Sequence, residues 1–305
     1  MGADFWLVLR WWGTLFLVGA AAWPLTRILF GGIREIREIG GIREKKEDYG
    51  WWDGGYLFSK AVGMAAATWI VYVLGTIRVM PFSVVSIGVA ITAVFLLGIG
   101  FYKGDKGDKG DKGDRGNWGR IIIEEVFFLA ALLFWSWIKA HEPSIRGLEK
   151  FMDFGFMQSI LNSSYFPPPD MWYAGLPINY YYFGHLVTAV LTKFSGLDLA
   201  YTFNLMLATI FALTLTMSFS IGYQVFALSF QRKLESRENK DWIPGQARDD
   251  RKRKGVNILA GLLTAFLVTM AGNMQTIYAF TRGYTGDPPA GGVKPFWELW
   301  WNIGE

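Results

Sequence analysis

Two acidic side chains lie four residues apart in a stretch of the sequence that also carries basic residues and, further along, a histidine. Glu149 and Asp153 occupy positions i and i+4, so on a helix both project from the same side. A positioned carboxylate is a common base for removing a proton from a hydroxyl group. Arg146, Lys150 and His185 add side chains that could bind the negative charge of a phosphate.

The connection that follows, residues 167–185, reads "PPPDMWYAGLPINYYYFGH". Its leading prolines end a helix and impose an extended, stiff path. The polar and aromatic candidates for binding a ligand in this connection are Asp170, Trp172, Asn179, Tyr180, Tyr181 and Tyr182. Asp153 and Asp170 could also hold Mg²⁺ or Mn²⁺, because these ions prefer oxygen ligands.

Each candidate also has a purely structural interpretation. Asp153 and Glu149 could solvate the exposed side of a helix at the membrane surface. Aromatic side chains commonly form a belt at the level of the lipid headgroups, and Lys150 and Arg146 could contact phospholipids. His185 could cap a helix or make a structural hydrogen bond. Residue types alone therefore leave both interpretations open.

The elements that must position these residues are membrane spans. The chain of 305 residues is 52% hydrophobic, and three segments contain no Asp, Glu, Lys or Arg: 82–102, 199–228 and 256–281. A helix needs about 20 apolar residues to cross the hydrocarbon core of a bilayer. Further spans are expected at 5–30, 56–77 and 121–138. The sequence thus predicts an all-α polytopic membrane protein with about six transmembrane helices.

Basic residues are distributed unevenly among the connections between these spans. Twenty of the 30 Lys and Arg residues lie in 31–53, 103–120 and 229–255, whereas the alternate connections hold seven. Short basic loops stay on the cytoplasmic side, so we expect a cell-membrane protein with its N-terminus outside. The first two basic loops are repetitive, and we interpret all three as solvated topology anchors and not as nucleic-acid sites.

This topology predicts four parts in chain order. They are four spans in 1–138, an extracytoplasmic loop in 139–198, two spans in 199–281 and a further outer segment in 282–305. Within the outer loop, 144–166 is expected to form a helix whose apolar face rests on the membrane surface. That face comprises Leu148, Phe151, Met152, Phe156, Ile160 and Leu161. The apolar segment 183–194 is too short to span and predicts an interfacial or re-entrant helix.

The outer loop resembles a known family. The segments "GLEKFMD" and "FPPPDMWYAGLPINYYYFGH", and more loosely "WWDGGYLFSK" and "AGN", are similar to bacterial and archaeal membrane proteins named for a Tyr-Tyr-Tyr motif. That family has no assigned function, and the resemblance covers most of the chain outside the repetitive loops. Its members continue beyond the point where "FWELWWNIGE" ends this chain, so the resemblance implies an N-terminal fragment.

The layout of that family is in turn similar to the GT-C glycosyltransferases. These multi-span enzymes carry an essential acid in their first large outer loop, and their donors are usually sugars on polyprenyl phosphate. By position, the likeness implies that Asp153 is the essential acidic residue, which would act as the base. Glu149 lies beside it as a support or metal ligand. The likeness assigns the donor phosphate to Lys150, Arg146 and His185. Contact with the sugar or the isoprenoid falls to Trp172, Tyr180, Tyr181 and Tyr182.

The leading hypothesis is therefore a membrane glycosyltransferase that acts on the outer face. A transporter is the first alternative, but the predicted spans contain almost no central ionisable residues, which ion-coupled carriers usually need. A non-catalytic assembly or scaffold protein is the second alternative. The chain has no cysteine, which excludes disulfides and cysteine nucleophiles. The lipid bilayer is an expected partner under every hypothesis.

Overall fold

The computed structural model describes residues 2–31, 36–39, 42–45, 50–105, 118–141, 143–145, 149–235 and 246–270. In chain order the elements are α1 (Gly2–Phe30), β1 (Ile36–Ile39), β2 (Ile42–Lys45), a 3-10 helix (Tyr56–Phe58), α2 (Ser59–Thr76), α3 (Val84–Asp105), α4 (Trp118–His141), α5 (Lys150–Asn162), α6 (Phe183–Ser195), α7 (Leu199–Glu235) and α8 (Gln246–Thr269). The two strands pair as an antiparallel hairpin inside the first repetitive loop. The other described elements are helical.

Five helices in the described part of the chain are long and apolar enough to cross a membrane. They are Phe5–Phe30, Tyr56–Thr76, Val84–Phe101, Trp118–His141 and Leu199–Ser229. This confirms the predicted class, a polytopic α-helical membrane protein. The sixth expected span, 256–281, is described only as far as Met270, and its apolar part there is the shorter helix Lys254–Thr269. Its remainder lies outside the described residues.

Contacts between Cα atoms divide the chain into two compact units. The first comprises Met1–Ser136 and Ser144–Leu213, and the second comprises Trp137–Pro143 and Thr214–Glu305. The first unit contains the whole of α1, α2, α3, α5 and α6, so it also contains every described residue that the sequence analysis proposes for a site. The boundaries between the units lie within α4, after Ser136, and within α7, after Leu213.

Helix α1 packs closely against α2 because small residues lie at their contact. A Cβ atom on Gly63 would stand only 2.6 Å from the backbone oxygen of Val18. Ala22 on α1 and Ala67 on α2 are buried beside this point. Lipid tails are as apolar as the side chains they would replace, so membrane helices associate largely through such close backbone approach.

Helix α6 packs against the spans α2 and α3. Leu186, Ala189 and Val190 are buried in one apolar cluster with Val71 of α2 and Ile87 of α3. With 13 residues at about 1.5 Å per residue, α6 is too short to cross a bilayer. Its length agrees with both expected forms, interfacial and re-entrant.

Lys193, near the end of α6, joins three parts of the first unit. Its Nζ donates hydrogen bonds to the backbone oxygens of Phe82 at 3.1 Å and of Leu161 at 3.2 Å. The same nitrogen lies 4.0 Å from the centre of the Phe82 ring. Burial lowers the pKa of the Lys193 ammonium group from its ordinary value. Lys193 therefore holds α6 against the turn before α3 and the end of α5.

The close contact between Gly75 and Phe166 allows a test of this packing. A Cβ atom on Gly75 would stand 2.5 Å from the ring of Phe166, which is buried. We expect Gly75→Ala to displace that ring and to lower the melting temperature of the purified protein in detergent, since overpacking costs about 1–3 kcal/mol.

Gly88→Ala on α3 is the matched control, because a Cβ atom there meets nothing within 4 Å. It should leave the melting temperature unchanged or raise it, since alanine favours a helix over glycine by about 1 kcal/mol. Equal melting temperatures for Gly75→Ala and the unmodified protein would contradict the packing described for Phe166.

Candidate functional site

Glu149 and Asp153 share the first turn of α5. Glu149 lies at the N-cap of α5, and its backbone oxygen accepts a hydrogen bond from the amide of Asp153 at 3.0 Å. Negative side chains are favourable there because the N-terminus is the positive end of the helix dipole. Helix α5 is shorter than the expected 144–166, and it buries Phe156, Met157 and Ile160.

The connection between α5 and α6 folds back on itself as a short hairpin. The amide of Asp170 donates to the oxygen of Leu176 at 2.8 Å, and the amide of Ile178 donates to the oxygen of Pro168 at 2.9 Å. The carboxylate of Asp170 accepts hydrogen bonds from the backbone amides of Trp172 and Tyr173 at 2.8 and 3.0 Å. These bonds make Asp170 a turn-forming residue, as aspartate commonly is.

The start of α6 brings His185 to Asp153. The Nε2 atom of His185 and the Oδ1 atom of Asp153 share a hydrogen bond of 3.0 Å, although 32 residues separate them. The His185 side chain is 13% exposed and that of Asp153 is 35% exposed. The Nδ1 atom of His185 is buried and has no hydrogen-bond partner among the described residues. Asp153 and His185 thus form a pair at the edge of the protein, with the carboxylate more open than the imidazole.

Aromatic rings surround this pair. Phe156 meets the His185 ring edge-to-face at 5.5 Å between centroids, and it also contacts Tyr180 at 5.8 Å and Trp172 at 6.2 Å. Tyr180 lies against Tyr181 with centroids 3.9 Å apart, and its hydroxyl donates to that of Tyr181 at 2.6 Å. Trp172 and Tyr181 are largely exposed. The pair therefore lies beside an open aromatic surface.

The charges of the two acids, Glu149 and Asp153, affect the pKa of the Tyr180 hydroxyl. Its hydrogen bond to Tyr181 contributes most to raising the pKa of Tyr180 to about 12, and the negative charges of Glu149 and Asp153 add to the increase. The Tyr180 hydroxyl already donates to that of Tyr181, so the Tyr181 hydroxyl is the one of the two that can donate to a ligand. The structure thus brings together Asp153, His185, Tyr180 and Tyr181, with Glu149 close enough to act on Tyr180 through its charge.

The other candidates have different surroundings. Tyr182 packs against Tyr72 of α2 with ring centroids 6.3 Å apart, and burial followed by the influence of Tyr72 raises its pKa. Asn179 is exposed and Lys150 is half-buried. Arg146 lies outside the described residues.

A divalent metal ion finds little support in this arrangement. Within the described ranges, no group of three or more His, Cys, Asp or Glu side chains is placed to hold a metal ion. One oxygen of Asp170 is already engaged by backbone amides. The side chains present do not assemble a protein-held site for Mg²⁺ or Mn²⁺ around Asp153 and Asp170, and that possibility stays a sequence prediction.

Two features of the fold are not evident from the sequence. Phe156 belongs to the predicted apolar face of α5, yet it is the common neighbour of His185, Tyr180 and Trp172. Lys60, Glu124 and Glu125 lie inside two spans and are buried. The sequence does contain a signal for these three buried residues, because charged side chains within apolar segments are costly and usually functional.

Most of the chain matches the model of a known protein family. A family model described as "Uncharacterized membrane protein (DUF2298)" matches residues 64–302, more than three quarters of the sequence. The matched range includes α5, the hairpin and α6. No curated protein and no solved structure matches the chain. The match shows a membrane protein family of unassigned function, whereas the Tyr-Tyr-Tyr motif family and the likeness to GT-C enzymes stay predictions.

The two histidines of the chain, His141 and His185, allow a test of the Asp153–His185 pair. His141 is exposed, whereas His185 is mostly buried and uses Nε2 in its bond to Asp153. We expect diethyl pyrocarbonate, which acylates free imidazole nitrogens, to modify His141 several-fold faster than His185, as measured by mass spectrometry of peptides.

Asp153→Ala should raise the modification rate of His185 and leave that of His141 unchanged. His141→Gln serves as the control that assigns the fast phase. The pairing would be wrong if His185 reacted as fast as His141 in the unmodified protein, or if Asp153→Ala had no effect on its rate.

Proposed function

The chain belongs to the DUF2298 family of uncharacterized membrane proteins, and on that premise we propose that it is a membrane glycosyltransferase-like protein. The proposed donor is a sugar on polyprenyl phosphate at the outer face of the cell membrane. The observation that carries the proposal is the hydrogen-bonded Asp153–His185 pair beside an exposed aromatic surface. Family membership itself assigns no activity.

Asp153 is the proposed base. Its side chain is 35% exposed, so the carboxylate can reach an acceptor hydroxyl, while the bond to His185 fixes its orientation. As Asp153 takes the hydroxyl proton, the acceptor oxygen forms a bond to the anomeric carbon of the sugar. The bond from that carbon to the phosphate oxygen breaks, and the phosphate leaves with the electron pair. A positioned carboxylate contributes about 10²–10⁴-fold to such a step.

The remaining side chains would hold the substrate. Trp172 and Tyr181 expose ring faces on which a sugar or an isoprenoid unit can pack. Tyr181 can donate a hydrogen bond to the sugar, because in its bond with Tyr180 its hydroxyl is the acceptor. Lys150, at the first position of α5, and Arg146 are the proposed cations for the departing phosphate.

The orientation of the protein is part of this proposal. The basic loops 31–53, 103–120 and 229–255 favour the cytoplasmic side. The loop that carries Asp153 is separated from each of them by an odd number of spans, so it would lie outside, together with the N-terminus. Polyprenyl-linked sugars presented at the outer face could then reach Asp153.

A carrier is the second candidate, and a specific observation favours it. Lys60 and Glu125 form a buried ion pair between two spans. Ion-coupled carriers usually need ionisable residues within their spans, and this pair supplies two of them. A carrier would move its substrate across liposomes without lipid-linked sugar, which the glycosyltransferase proposal does not expect.

Asp153→Asn tests the reaction. In proteoliposomes supplied with labelled polyprenyl-phosphate sugars, we expect the unmodified protein to transfer label out of the lipid-extractable fraction. The variant should be slower by about 100-fold or more, since the amide cannot act as a base. Asp198→Asn is the control, because Asp198 is an exposed outer-loop acid that caps α7 through the oxygen retained by asparagine.

The proposal fails if Asp153→Asn transfers sugar at the unmodified rate. It also fails if the unmodified protein releases no label from any of the sugars while it moves solutes across the same liposomes.

Single cysteines can test the orientation, because the chain has none of its own. Ala174→Cys, at the exposed end of the hairpin, should react with a membrane-impermeant maleimide added to intact cells. Lys109→Cys, in the basic loop 103–120, should react only after the cells are opened. The reverse pattern would place Asp153 on the cytoplasmic side and remove the proposed access to outer-face donors.

A further inference from the structure

A second polar cluster lies inside the membrane-spanning part of the first unit, away from the outer loop. Glu124 and Glu125 follow one another on α4, within the span Trp118–His141, and Lys60 lies in the span Tyr56–Thr76. Their exposed fractions are 4%, 7% and 3%. Burial of three ionisable side chains between spans is costly and needs a physical explanation.

Both carboxylate oxygens of Glu125 accept hydrogen bonds. Its Oε1 atom accepts hydrogen bonds from the Lys60 ammonium group and, at 2.6 Å, from the hydroxyl of Tyr56. Its Oε2 atom accepts one from the indole nitrogen of Trp12 at 3.1 Å. The ammonium group of Lys60 also lies over the Phe128 ring at 4.7 Å. This set accounts for one negative and one positive charge.

Glu124 has no such support. Both of its carboxylate oxygens are buried, and neither has a hydrogen-bond partner in the part of the chain that the structure describes. The charged groups that face it are engaged elsewhere. Lys60 is paired with Glu125, Arg120 donates to the backbone oxygen of Trp52, and Asp53 accepts from the amides of Gly55 and Leu57.

An ionised carboxylate in this position would be desolvated and without a hydrogen bond, which makes the charged form much less stable than the neutral acid. A metal ion would need more oxygen ligands than one carboxylate offers, and the described side chains form no group of three or more acids or histidines. A single proton removes the charge without any added ligand. The proton is therefore the ligand that the surroundings fit.

We propose that Glu124 is a proton-binding site within the membrane, occupied at neutral pH. Binding converts the carboxylate to a carboxylic acid, and the proton comes from water at the end of α4 that begins at Trp118. In the orientation proposed above, that end faces the cytoplasm. The site does not depend on the proposed glycosyltransferase reaction, which uses Asp153 at the other side of the membrane.

Dicyclohexylcarbodiimide tests the proposal, because this apolar reagent enters membranes and adds to protonated carboxyl groups. We expect mass spectrometry of the protein in liposomes to locate a stable adduct on Glu124 and not on Glu125. Labelling should fall as the pH is raised, and Glu124→Gln should abolish the adduct. Replacing choline by sodium at constant pH should have no effect.

Infrared spectroscopy provides an independent measurement that does not depend on reagent access. The protonated carboxyl stretching band of the unmodified protein at neutral pH should be weaker in Glu124→Gln and unchanged in the control Asp198→Asn. An identical band in Glu124→Gln would overturn the proposal. An adduct on Glu125 instead of Glu124 would also overturn it, and suppression of labelling by sodium would assign the site to a metal cation.

Discussion

The hydrocarbon of a bilayer offers polar groups no hydrogen-bond partner, so each buried polar group of this protein depends on a partner within the protein. Lys60 shows the consequence most clearly. Its ammonium group, the Tyr56 hydroxyl and the Trp12 indole all converge on Glu125. The three donors come from α1, the 3-10 helix and α2, and the acceptor lies on α4. The buried carboxylate of Glu125 therefore connects α4 with α1, the 3-10 helix and α2.

The same requirement holds α6 in place. Lys193 reaches two backbone oxygens outside its own helix, and the hydroxyl of Thr192 shares a hydrogen bond of 2.7 Å with Thr202 of α7. Because the end of α6 is anchored in this way and its apolar side is buried against α2 and α3, its beginning is positioned as well. His185 stands at that beginning and meets Asp153. The packing of the spans thus determines the geometry of the Asp153–His185 pair.

The two acidic centres differ in how far water reaches them. Asp153 lies at the edge of the protein, where partial exposure keeps a carboxylate accessible to a substrate. Glu124 is almost completely enclosed, and neither of its carboxylate oxygens has a hydrogen-bond partner among the described residues. A carboxylate that keeps some contact with water can serve as a base, whereas one that is enclosed without partners is stable only when neutral. Exposure and hydrogen bonding together therefore separate two acids of the same chemical type.

Sequence by itself determined the membrane class, most of the span positions and the candidate acids, because hydrophobic length and charge distribution are local properties of the chain. It also located Asp153 and His185, but not their pairing across 32 residues. Only the tertiary structure decided that Asp170 forms a turn, that Tyr182 faces α2 and that Glu125, unlike Glu124, has partners. Adjacent glutamates look alike in a sequence. Which of them meets a lysine depends on the side of the helix that faces the neighbouring span, and packing sets that side.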